Sequence, residues 1–281
     1  MDFIPPTPVR AWQPFTLGGV AAFASSSLFR LVQVQLVFGL VAAGCAVWGF
    51  DRTWGSAWSE AIPKLPAAAE IRGGVLTWPG EKLARLAENR FLSIVVDLNA
   101  TGELASGSDV QVQIGTRELR FRSLFGYFPI HYRADWIVPL DPTEMAAWWG
   151  AWEQAVLAGL GASILVGLGF AWGLLALPYA IVIRLIALIR DRPLTMPGAW
   201  AMAAAAQLPG ILIASVAWVA YCMGRLEFLR LLWVFLLQFP ISWFFVVFAP
   251  FKLPPSLPLP PSRGGSQNPF ANGPKYKQGR I

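Results

Sequence analysis

Four stretches of the chain are apolar over lengths that suit a lipid bilayer, and one stretch between the first and second follows a shorter period. Residues 31–50, 156–183, 198–222 and 231–250 are each mostly apolar. At about 1.5 Å per residue, about 20 residues cross a hydrocarbon core of about 30 Å, which predicts four transmembrane helices. Residues 51–141 instead read as a small α+β domain inserted between the first and second spans. PKLPAAAEIRGGVLTWPG at 63–80 has the form of two extended segments around a Gly73-Gly74 turn. Residues 81–90 have helical composition, with Leu83, Leu86 and Ala87 on one face. FLSIVVDL at 91–98 predicts a strand, and VQVQI at 110–114 and ELRFRS at 118–123 predict a hairpin through Gly115-Thr116-Arg117. The sheet is expected to be mostly antiparallel, with Ile94, Val96, Val112 and Phe121 on its apolar face.

Asp141-Pro142-Thr143-Glu144 marks a helix start. Asp141 can accept from unpaired amides, Pro142 needs no donor in the first turn, and Glu144 suits the positive end of the dipole. From there one helix can run into the second span, with Trp148, Trp149 and Trp152 at its mouth, where amphipathic rings favour the headgroup zone. Residues 142–250 then form a bundle of three Pro-kinked spans.

Composition supports this class: 56% of residues are hydrophobic and 14% charged, against about 25% charged in ordinary globular domains. The net charge of +6 does not indicate nucleic acid, because the basic residues outside the central domain flank the spans. Arg10 and Arg30, then Arg184, Arg190 and Arg192, then Lys252, Arg263, Lys275, Lys277 and Arg280 place both termini in the cytoplasm and residues 51–141 outside. Arg225, Glu227 and Arg230 run mildly against that assignment. Residues 1–30 read as a cytoplasmic segment with an interfacial helix over 14–30. Residues 251–281 read as a Pro-rich spacer with a disordered basic end. Cys45 and Cys222 have neither disulfide-framework nor metal-ligand spacing.

Three features carry candidate chemistry. Ala155, Gly159, Ser163, Gly167 and Ala171 recur every fourth residue, and Gly169 with Gly173 adds a second small pair. Small residues let helices approach closely, within the bundle or against a partner. Gln207 and Pro209 in the third span repeat as Gln238 and Pro240 in the fourth, and Pro178 interrupts the second. These positions predict kinks re-satisfied by amide side chains, or else a permeation path. No ionisable residue lies centrally in any span to couple ions. In the inserted domain, Asp97, His131 and the Asn99-Ala100-Thr101 glycosylation pattern are too isolated for a triad or metal site, so no catalytic residue, metal or cofactor is expected.

IPKLPAAAEIRGGVLTW and SIVVDLNATG resemble segments of an uncharacterised family of bacterial membrane proteins. One branch of that family is labelled a maltodextrin-utilisation membrane protein, and the whole is loosely similar to the Yip-type superfamily. The resemblance implies one span, an extracytoplasmic domain and several Pro-interrupted spans in the bacterial cytoplasmic membrane, with no catalytic residues. The combined reading is a non-enzymatic scaffold or accessory subunit whose partners are the bilayer and another membrane protein or a second copy. The alternative is a transporter component.

The charge distribution predicts sidedness. In a background lacking Cys45 and Cys222, a cysteine at Ser106 is expected to react with an impermeant thiol reagent in spheroplasts, and one at Ser266 is not. Reaction at Ser266 alone would invert the topology.

Overall fold

The computed structural model describes residues 12–99 and 107–255. Among them are four helices long and apolar enough to cross a membrane, together with a small sheet domain. The first short helix, α1 (Leu17–Ala22), is capped by the Thr16 side chain, which accepts from the Gly19 amide. It precedes α2 (Leu28–Phe50), whose path continues through a π-helical turn (Asp51–Gly55), α3 (Ser56–Ala61) and a 3-10 turn. The result is one rod, Leu28–Lys64, of 37 residues. Helical geometry thus extends past residue 50 and underpins the sheet domain. The α1 region departs from the interfacial expectation: Val20 and Phe23 are fully buried. Small residues permit this, since a Cβ on Gly198 would lie 2.5 Å from the Ala24 carbonyl oxygen.

The sheet domain contains β1 (Glu70–Arg72), β2 (Val75–Thr77), β3 (Leu83–Glu88), β4 (Leu92–Asp97), β5 (Val110–Ile114), β6 (Glu118–Ser123), β7 (Gly126–His131) and β8 (Ile137–Pro139). One sheet has the order β2-β1-β8 and the other β3-β4-β5-β6-β7. All pairs are antiparallel except β4 with β5. Gly73 and Gly74 turn the first hairpin with φ of 59° and 78°, values that suit glycine.

Residues 83–88 form a strand, not the helix their composition suggested. The pairing of β3 with β4 shifts register between Arg85 and Ala87, so Leu86 and Ala87 both turn inward. A bulged strand thereby imitates the i, i+3, i+4 spacing of a helical face. Ala57 and Ala61 of α3 pack on Leu86, Ala87, Leu92, Ile94 and Val96, so the domain's core is built directly on the extended first rod.

The remaining helices are α4 (Pro142–Ile189), α5 (Met196–Ala205), α6 (Leu208–Cys222) and α7 (Phe228–Phe248). Asp141 caps α4 by accepting from the Thr143 and Glu144 amides, and the helix then runs unbroken for 48 residues. The third apolar stretch, α5 with α6, is 67% buried, against 22% for α7, so it forms the centre of the bundle. Its Ala-rich composition suits close packing from several sides. The helix breaks only at Ala206-Gln207, just before Pro209. Pro178 and Pro240 lie inside continuous helices rather than at breaks. Buried Tyr179, Ala180 and Ile183 hold α4 beyond Pro178, and beyond Pro240 the Ser242 hydroxyl donates to the Gln238 carbonyl at 2.8 Å. The basic tail over 256–281 and the Asn99-Ala100-Thr101 pattern beyond Asn99 lie outside the described residues.

Val96 is fully buried beneath α3. Val96→Asp removes apolar burial and inserts an unpaired charge, with an expected cost of about 3 kcal/mol or more. Limited proteolysis should cut the domain readily; an unchanged digestion profile would contradict this core.

Candidate functional site

The junction between the sheet domain and the bundle is organised by one turn, Asn89-Arg90-Phe91, between β3 and β4. The Asn89 side-chain oxygen accepts from the Phe91 and Leu92 amides, both at 2.8 Å, which fixes the turn locally. The Asn89 side-chain nitrogen donates to the Thr53 carbonyl at 2.7 Å. Thr53 sits in the π-helical turn, where the helical ladder is irregular and a carbonyl can be shared. Arg90 donates to the Gly224 and Leu226 carbonyls at 2.8 and 2.5 Å. Phe91 meets Tyr221 edge-on, with centroids 5.0 Å apart. Three consecutive residues therefore grip the first rod and the α6–α7 connection together.

The α6–α7 connection presents its carbonyls because of how α6 ends. Gly224, with φ of 76°, and Arg225 donate back to the Tyr221 and Ala220 carbonyls, a glycine-dependent helix stop. The loop before β5 adds a further tie: Tyr221 donates to Asp109 at 2.7 Å. The tip of the β6–β7 hairpin also reaches this level, with Phe125 against Phe228 at 5.9 Å.

Away from the junction, the large sheet has two unlike faces. On the apolar face one cross-strand row joins Ala87, Ile94, Val112, Phe121 and Phe128. Its cover fades along the row, from 1% exposure at Ile94 to 64% at Phe128. On the other face Glu118 gathers Arg120, Tyr127 and His131. The Arg120 guanidinium holds the Glu118 carboxyl below the usual carboxylate range. Asp97 is buried and accepts from Gln113 at 2.6 Å. His131 is 75% exposed, so this cluster lies on an open sheet face and not in a cleft. Among the described residues no group of three His, Cys, Asp or Glu could hold a metal ion.

The candidates on the long apolar helices separate into distinct environments. Ala155, Gly159, Ser163 and Gly167 are exposed, and nothing lies within 4 Å of a Cβ built on Gly159, Gly167 or Gly169. The close approach of α2 to α4 uses Gly39 and Gly161 instead, where a Cβ would lie 2.6 Å from Leu165 and 3.2 Å from Val47. Packing within the bundle is therefore not what Gly159, Ser163 and Gly167 do. Gly173 touches Trp200 of α5 at ordinary distance, and Ala171 turns inward.

Gln207 and Gln238 do come together. With Tyr179 and Ser242 they line a cavity of about 100 Å³ between α4, α6 and α7. The Gln207 amide donates to the Trp172 and Ala203 carbonyls at 3.1 and 3.3 Å. Pro209 starts α6 beside this cavity, and Gly210 presses on the Gln238 backbone, where a Cβ would lie 3.2 Å from its Cα. Pro178 and Pro240 do not line it.

Sequence reasoning missed the Asn89–Phe91 turn, although Asn immediately before a strand was an available turn signal. It also missed Gly39 and Gly210, whose importance depends on which helix each one meets. In comparisons with known proteins, no family model, curated protein or solved structure matches the chain. The family likeness therefore rests on the two short quoted segments alone.

Arg90→Lys keeps the charge but cannot span two carbonyls with a planar fork. The expected loss is about 1–3 kcal/mol, read as a lower denaturation midpoint in detergent; a midpoint equal to wild type would remove Arg90 from the junction's energetics.

Proposed function

We propose that the protein is a non-enzymatic, multi-pass protein of the bacterial cytoplasmic membrane that holds its sheet domain outside as a fixed docking platform. The partner is another membrane protein or a second copy of this chain. One observation carries the reading: the domain is fastened to the bundle through Asn89–Phe91, while the Phe128 end of its apolar face is left uncovered. A flexible tether would blur the position of such a face; two helical connections and a clamped turn preserve it. Exposed apolar patches of this kind mark interaction surfaces. Orientation rests on the flanking charges, with the termini in the cytoplasm.

The cavity around Gln207 and Gln238 argues against the transporter alternative. It is small, no Asp, Glu, Lys, Arg or His lines it, and the Gln207 amide is occupied by two backbone carbonyls. This supports a role for Gln207 in satisfying backbone groups at the helix break. The outward stripe of Gly159, Ser163 and Gly167 is a second surface that a partner's helix could approach closely.

A photo-crosslinking residue at Phe128, irradiated in native membranes, is expected to give a discrete adduct that the same residue at Arg133 does not. Adducts at neither position, or equally at both, would overturn the platform reading. Gly167→Leu is expected to leave the melting temperature in detergent unchanged and to reduce crosslinking from Val166. Unchanged crosslinking would remove the stripe from the proposed interface.

A further inference from the structure

Below the polar face of the large sheet, at the level where α7 begins, lies a cleft of about 480 Å³. Its volume is in the range of small-ligand sites, about 300–1,000 Å³. Its walls differ in chemistry. Arg122 projects from β6 into the cleft, which is also lined by the carboxylates Asp109 and Glu227. Leu124, Phe228 and Leu229 supply an apolar side.

The charges in this cleft are unequally engaged. Among the described residues the Arg122 side chain forms no ion pair or hydrogen bond. One Asp109 oxygen takes the Tyr221 hydroxyl at 2.7 Å. Glu227 has only a loose, exposed pairing with Arg230 at 3.6 Å, the kind that contributes little. A guanidinium without a partner favours a phosphate, which it can hold with paired donors. The two carboxylates favour an ammonium that retains N–H donors. Together they select a phosphate and a primary amine in one ligand, and the apolar side selects an attached hydrocarbon.

We infer that this cleft binds the headgroup of a phospholipid bearing a primary amine. Arg122 meets the phosphate, Asp109 and Glu227 face the ammonium, and the chains descend past Leu229 along α7. The inference rests on the membrane reading above, under which the first turn of α7 stands in the headgroup zone. A choline head would carry the same charges but donate no N–H bond to the carboxylates, so it is expected to bind less well. Soluble glycerophosphoethanolamine has the polar chemistry without the chains and leaves the apolar side unused.

The full-length protein, purified in mild detergent and stripped of lipid, tests this by native mass spectrometry. The added ligands are phosphatidylethanolamine, phosphatidylcholine or glycerophosphoethanolamine. Phosphatidylethanolamine is expected to be retained preferentially, and Arg122→Gln to weaken its retention about tenfold, the effect of losing one charged hydrogen-bonded contact. Arg117→Gln, outside the cleft, should not change it. Glu227→Gln, at an exposed site, gives a second reading: it should reduce the preference for phosphatidylethanolamine over phosphatidylcholine. Equal retention by wild type and Arg122→Gln, or no loss of selectivity in Glu227→Gln, would overturn the site. Retention of glycerophosphoethanolamine as strong as that of the lipid would overturn the lipid assignment. Extraction of the protein from native membranes by alkaline carbonate would instead overturn the membrane reading itself.

Discussion

The architecture depends on the turn Asn89-Arg90-Phe91, where a sheet is held to two separate parts of a helical bundle by three adjacent side chains. Each uses a different interaction: an amide to the Thr53 carbonyl, a guanidinium bridging the Gly224 and Leu226 carbonyls, and a ring against Tyr221. The carbonyls are available because the helices depart from regular geometry there, at a π-helical turn and at the glycine stop of α6. Irregular backbone and docking are thus one feature. Without it the sheet would keep its two chain connections, the rod below α3 and the helix beginning at Pro142, and the lesser ties of Asp109 to Tyr221 and Phe125 to Phe228.

At its centre the bundle satisfies several of its polar groups internally. The centrally placed third stretch breaks at Ala206-Gln207, and Gln207 turns its amide to carbonyls of α4 and α5. Ser215 and Ser242 return their hydroxyls to the carbonyls of Ile211 and Gln238, and Trp218 donates to the Cys45 carbonyl at 3.1 Å. Such pairing is what an environment without water requires. Among the described residues, the surfaces left open include the Phe128 end of the sheet, the outward Gly159–Gly167 stripe of α4 and the cleft above α7. On the proposed reading, these are where the molecule meets something else.

Much of the fold was legible in the sequence where local chemistry decides it. The lengths of the apolar runs, the Gly73-Gly74 turn, the β5–β6 hairpin and the Asp141 cap each follow from a few adjacent residues. The failures share a different cause. The bulge in β3 gave Leu83, Leu86 and Ala87 a helical spacing, and only the partner strand distinguishes the two. The stripe on α4 looked like one contact line, but residues four apart turn by about 40° per step around a helix of 3.6 residues per turn. Gly159 and Gly167 consequently face outward while Ala171 lines an internal cavity. The close-contact glycines Gly39 and Gly210 carry no sequence mark that sets them apart, because their neighbours, Leu165 and Gln238, are distant along the chain.

On this architecture the sheet domain and the helical bundle move as one piece. Spin labels at Thr77, in the sheet domain, and Val166, on the exposed side of α4, report this directly through the distance distribution between them in lipid nanodiscs. A clamped domain gives one narrow distribution, the same at several temperatures before freezing. A broad or multiply peaked distribution would contradict it, because the domain would then be tethered rather than held.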